Sequence, residues 1–199
     1  VTINTQGIQE WTVPADGLYT IEVWGAQGGN TGSNIVNEGS NLGGKGSRMK
    51  GDFTLTSGTV LKILVGQQGL GNSSDSGGGG GTFVVTGTST ALIIAGGGGG
   101  AGNGHTGVDA GTGTAGILGT GSGGGTVGDN GTGGSGSWSS SGAGLLTDGG
   151  NPTWSSSYNG GGDAFVNGGQ GGIVINQANS VGGFGGSGSA HGNSCIGGG

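Results

Sequence analysis

The sequence predicts an all-β protein, a β-sandwich joined to a bundle of glycine-rich polyproline II helices, with little or no α-helix. Three observations predict it. Short segments in the first half alternate apolar and polar residues, the period of a half-buried strand. Glycine makes up 62 of the 199 residues and recurs at every third position over a long stretch. No segment carries the 3.6-residue apolar period of an amphipathic helix.

The strands follow in order. VTINT and IQEWTV supply one or two at the start. In LYTIEVW, Tyr19, Ile21 and Val23 alternate with Thr20 and Glu22, after a turn marked by Pro14 and Asp16-Gly17. Trp11 and Trp24 fall within these segments and are expected in the core. In MKGDFTLT, Met49, Phe53 and Leu55 alternate with polar neighbours, and Thr56-Ser57-Gly58 leads into VLKILV, the pattern of a hairpin. TFVV (82–85) and ALIIA (91–95) read as strands buried on both faces, and IVI at 173–175 as one more. Residues 1–95 are therefore expected to form the main part of the sandwich, and 96–199 the bundle, with a further sandwich strand near 173–175.

Counting in threes from Gly98 meets Ala101, Gly104, Gly107, Ala110, Gly113, Gly116, Gly119, Ser122, Gly125, Gly128, Gly131, Gly134 and Ser137, all small. A polyproline II helix has three residues per turn and a rise of ~3.1 Å, so that phase leaves one face as bare backbone. The helix makes no internal hydrogen bonds, so its N–H and C=O groups must find neighbours. Ordering a glycine backbone costs on the order of 1–2 kcal/mol, against ~1 kcal/mol returned per net hydrogen bond, so single helices melt and only a bundle holds. Gly104, Gly107, Gly113, Gly116, Gly119, Gly125, Gly128, Gly131 and Gly134 are the expected packing positions. The five-glycine runs 77–81 and 96–100 each adjoin a predicted strand and are expected where the chain passes between sandwich and bundle.

Composition narrows function. Two prolines exclude a collagen triple helix. The four basic residues, Lys45, Arg48, Lys50 and Lys62, leave the glycine-rich half without a cation for phosphate, which argues against nucleic acid. No apolar run approaches the ~18 residues of a membrane span, so no membrane insertion is expected. The one cysteine, Cys195, allows neither an intrachain disulfide nor a cysteine-based zinc site. The chain begins at Val1, the mark of a processed or excised piece.

WTVPADGLYTIEVWGAQGG (11–29), GGKGSRMKGDFTLTSGTVLKILVGQQG (43–69), GGGGGTFVV and ALIIAGGGGGAG (91–102) resemble the extracellular glycine-rich domain of the receptors anaplastic lymphoma kinase and leukocyte tyrosine kinase and of many bacterial surface proteins. The resemblance covers nearly all of the first 102 residues, and beyond them only the glycine texture and GGFGG at 182–186. It implies a TNF-like jelly-roll sandwich from which glycine-rich polyproline II helices project, and a location outside the cell or on a cell or virion surface. The receptors bind a small protein ligand through this domain, but no ligand-contacting residue can be matched here. Glycine bundles of the same kind occur in phage tail-tip adhesins and a snow-flea antifreeze protein. Family members continue into a strand that closes the sandwich, whereas this sequence stops at CIGGG. Two expectations follow: either the piece is cut short, or a second copy supplies that edge by strand addition, giving a homo-oligomer or fibre.

Chemistry-bearing residues are few. His105 and His191 lie among Gly, Ser, Thr, Ala and Asn with no nucleophile elbow, so no catalytic residue and no enzymatic activity is expected. Asp109, Asp129, Asp148 and Asp163 fit turn positions better than a calcium site, and neither metal nor cofactor is expected. Trp138, Trp154 and Tyr158 interrupt the triplets among Ser and Asn; covering the bundle's ends or its seam with the sandwich is the stronger expectation, and a candidate surface for a protein or glycan partner the alternative. Thr114, Thr120, Thr126 and Thr132 repeat every six residues; as an ice-binding face they would need one straight helix of ~56 Å, and a chain that folds back is the stronger expectation. The leading function is an extracellular, non-enzymatic structural or adhesive module that self-assembles into a fibre or adhesin tip. A ligand-binding ectodomain and an ice-binding protein are the alternatives.

Overall fold

The computed structural model describes residues 7–32, 41–102, 104–117, 127–129, 131–135, 139–152, 160–173, 180–190 and 199. Among these residues the regular structure is six strands, β1 (Gln9–Thr12), β2 (Gly17–Trp24), β3 (Arg48–Leu55), β4 (Val60–Leu64), β5 (Thr82–Thr86) and β6 (Thr90–Ala95), and one 3₁₀ turn at Phe165–Asn167. The protein is thus essentially all-β. All strand pairs are antiparallel: β1-β4-β5-β6 form a four-stranded sheet and β2-β3 a two-stranded one.

The alternation read from sequence sets the faces. On β2 and β3, Tyr19, Ile21, Val23, Met49, Phe53 and Leu55 turn inward and pack with Leu61, Val84, Ile93 and Ala95 of the larger sheet and with Val13, just past β1. Trp11 joins this layer, its ring edge-on to Tyr19 at 5.8 Å. Trp24 does not. It follows inward-facing Val23, so strand parity sends it outward, and it is 54% exposed.

The larger sheet is covered on its other face too. Leu64, Phe83 and Val85 pack there against Leu145, Phe165 and Phe184, three large side chains from the glycine-rich half, with Phe83 and Phe165 at 5.5 Å. That is why TFVV is buried on both faces.

The hairpin expected across Thr56-Ser57-Gly58 is not formed. β3 pairs with β2 and β4 with β1 and β5, so this turn, with Gly58 at φ 85°, carries the chain from one sheet to the other. Both flanking strands need a partner with matching burial, and the turn signal alone does not name it. Ile173 is exposed and outside any strand, while the rest of the predicted 173–175 strand, and VTINT up to residue 5, lie outside the described residues.

Beyond each strand pair the same register continues in glycine. Past Trp24 and Arg48, the Gly25 N–H donates to the Ser47 carbonyl and Gly28 to Gly44, both at 2.9 Å, with Thr31 bridging Asn41 further out. Past Leu64 and Phe83, Gly80 donates to Gln67 and Gly77 to Leu70; past Thr82 and Ala95, Gly79 donates to Gly98. The bonds now recur every three residues instead of two. Residues 96–101 also differ from a strand in their number of neighbours, since they exchange backbone hydrogen bonds with segments around Ala26–Gly29, Gly44–Ser47, Gly79 and Val108. A sheet strand has at most two. Glycine segments from both sides of position 95 therefore share one hydrogen-bonded body, which residues 181–185 join through Gln67, Leu70, Gly78 and Gly81.

Candidate functional site

The glycine positions can be tested one by one by asking what a β-carbon would meet. At Gly107 it would lie 2.1 Å from the Gly99 carbonyl oxygen, and at Gly128 2.0 Å from that of Thr132, so neither position has room for a side chain. Gly134 donates to the Gly142 carbonyl at 3.1 Å and accepts from the Gly150 N–H at 2.8 Å. Gly131 serves a turn instead, at φ 85°. Gly104 and Gly113 have open space around a β-carbon, with Gly104 at φ 79° in a turn, and at Gly116 the nearest atom is 3.7 Å away. These three are not close-packed. The single phase fails because the chain turns at Gly104 and doubles back so that Gly116 donates to the Gly128 carbonyl, and a count in threes does not survive a reversal. Gly119 and Gly125 lie outside the described residues.

Many tight contacts lie elsewhere, among them pairs three apart within short segments: Gly25 and Gly28, Gly43 and Gly46, Gly66 and Gly69, Gly77 and Gly80, Gly97 and Gly100. At every one of these ten a β-carbon would fall between 1.8 and 2.2 Å from a backbone oxygen of a neighbouring segment. The sequence signal was GxxG beside a strand end. Ser76 marks the same register, its buried hydroxyl accepting from the Ala101 N–H at 2.6 Å and reaching the Gly29 and Ala101 carbonyls at 2.7 Å.

Trp138, Trp154 and Tyr158 all lie outside the described residues, as do His191 and Cys195. Among the described aromatics, the one that sequence reasoning misplaced is exposed. Trp24 stands on the outer face of β2-β3, with the Arg48 guanidinium 5.6 Å from its ring centroid and ion-paired to Glu22. Along the same face Lys50 lies opposite Glu22, and Thr20 opposite Asp52, to whose carboxylate it donates at 2.6 Å. Leu18 at its end is 71% exposed. This polar, charged face with one stacked tryptophan is the strongest described candidate for contact with a partner.

The aspartates hold backbone. Asp109 accepts the Lys45 N–H at 2.7 Å. Asp148 accepts the Ala164 N–H at 2.7 Å and the Asn167 side-chain amide at 2.8 Å, and these bonds hold its carboxyl below the ordinary range. Burial, and then the charge of Asp148, push Asp163 up. Among the described residues no three His, Cys, Asp or Glu side chains gather as a metal site would need. Thr132 closes a turn with Asp129, donating to its carbonyl at 2.7 Å, and Thr120 and Thr126 lie outside the described residues.

An open depression of about 620 Å³ is lined by Asn30, Gln68, Leu70, Asn72 and Ser73. Its amides are already engaged: Asn30 accepts from Gly43, Gln68 donates to the Gly28 carbonyl, and Asn72 accepts from Ser74 and Asp75. Among the described residues no helix is long and apolar enough to cross a membrane. No family model matches the chain.

Proposed function

We propose that this protein is an extracellular, non-enzymatic structural or adhesive module, in which a TNF-like jelly-roll sandwich carries a bundle of polyglycine II helices and copies of the chain associate into an oligomer or fibre. One observation carries the reading: backbone hydrogen bonds that step by three residues between segments in which glycines three apart leave no room for a β-carbon. A threefold helix turns successive N–H and C=O groups in different directions, which accounts for a segment with four hydrogen-bonded neighbours. The bundle is rigid with few large side chains and is pinned to the sandwich by Leu145, Phe165 and Phe184. That combination suits an exposed rod or tip. The location outside the cell rests on the family resemblance.

Light scattering over a range of concentrations tests association, with electron microscopy of the same material. A mass that grows with concentration is expected, and a strict monomer would remove the self-assembly part.

A second reading, a ligand-binding ectodomain for a protein or glycan, is favoured by the exposed Trp24 stacked on Arg48. Replacing Trp24, Trp138 and Trp154 with Ala separates the two, because loss of target binding with unchanged assembly would favour this second reading.

A further inference from the structure

We propose that β3 is the self-association edge, pairing antiparallel with β3 of a second copy about a twofold axis at Gly51; this rests on the self-assembly reading above and specifies its contact. Among the described residues β1, β2, β3 and β6 each have a partner on one side alone. Their sequences are not equivalent as edges. β1 and β2 carry one charged residue each, Glu10 and Glu22, and β6 carries none, whereas β3 holds Arg48, Lys50 and Asp52. Only β3 can meet its own copy with opposite charges.

The register follows from the spacing. Antiparallel partners point to the same face, so a twofold axis must pass through a residue position or its equivalent by parity. Centred on Lys50 or Asp52 it would set like charges face to face, and centred on Met49 it would oppose Arg48 to Lys50. Centred on Gly51 it sets Lys50 opposite Asp52 of the second copy, twice. Lys50 has no ion pair among the described residues, so its charge is available. On the inner face the same register puts Met49 opposite the second copy's Phe53. Both are only partly buried, because two strands here cover four. At the axis Gly51 has no side chain to obstruct the approach. A charged edge normally deters pairing, and here the charges permit one register.

Charge exchange tests this by sedimentation or light scattering. Lys50→Asp and Asp52→Lys each create like charges across the axis twice and should weaken association about tenfold or more. The double variant, and an equimolar mixture of the two single variants, restore opposite charges and should return close to wild type. If the single variants associate as wild type does, the β3 edge is overturned while self-assembly stands. If wild type never associates, both are overturned. Should a charge variant fail to fold, Gly51→Cys in a Cys195→Ser background provides the second test. Position 51 faces itself within disulfide reach, and the added β-carbon meets side chains alone, the Phe53 ring edge at 3.0 Å and Ile93 at 4.0 Å. Oxidation should give a covalent dimer with Gly51→Cys and not with Thr54→Cys, and equal cross-linking of the two would overturn the register.

Discussion

Residues 96–101 and 104–117 are both rich in glycine and adjacent in sequence, yet glycine does opposite work in them. In the first, a β-carbon on Gly97 or Gly98 would sit 1.9 Å from a neighbour's carbonyl oxygen. In the second, Gly107 still packs on the Gly99 carbonyl, but Gly104 and Gly113 border open space and Gly116 is in ordinary contact range. Composition cannot tell these apart, because what differs is the neighbour. Where several backbones surround a segment, glycine is required by packing. Where the chain turns or borders solvent, it supplies conformational freedom or nothing specific.

The sharpest way to break this comparison is to add one methyl group on each side of it. Gly98→Ala places a carbon 1.9 Å from the Gly44 carbonyl oxygen, and backbone must move. A loss of about 3 kcal/mol or more is expected in denaturant unfolding. Gly113→Ala should be neutral or stabilising by up to ~1 kcal/mol, since its backbone is in no glycine-only region. Equal effects would erase the distinction.

Next in size is the joint between the two parts. Phe165→Ala removes a buried ring packed on Phe83 and should cost roughly 3–5 kcal/mol in thermal or chemical unfolding. If the glycine-rich half were independent of the sheet, the change would leave the sheet's unfolding in place.

The sandwich could be read well in one respect and poorly in another. Alternation located β2 and β3 with their inward residues, because burial of one face imposes a period of two, and short β-branched runs located β5 and β6. Pairing was not legible: the turn at Thr56-Ser57-Gly58 has hairpin chemistry, and only the tertiary match of β2 with β3 overrides it. Trp24 was assigned by residue type when its own strand parity pointed outward. Phe165 stands in a three-residue apolar run and Phe184 alone among glycines, and their role depends on the sheet beneath them. The period of three was visible, but it holds within segments that prolong strand pairs, not along the continuous stretch from Gly98 to Ser137.

Smaller effects sharpen the surface. Trp24→Ala should change stability by no more than ~1 kcal/mol, because the ring is mostly exposed and loses chiefly its contact with Arg48. A large loss would return Trp24 to the core. Asp148 gives the least, and its sign is fixed. With its carboxyl held low in the fold, it contributes stability that is present above the usual value of 3.8 and lost as pH falls through the lowered value. Asp163, pushed up, acts the other way, and stability is lost as pH rises from 3.8 through the raised value. Asp148→Asn should therefore flatten the acid limb of a plot of unfolding midpoint against pH, and an unchanged limb would assign it to other carboxylates.

Amide hydrogen exchange tests the central claim most directly, that the glycine-rich segments are ordered by backbone hydrogen bonds between chains of bare backbone. The N–H groups of Gly28, Gly44, Gly79 and Gly98 each donate to a neighbouring segment at 2.8–2.9 Å. They should exchange as slowly as those of β5. Exchange at the rate of an unstructured peptide would make these segments flexible linkers and contradict the account.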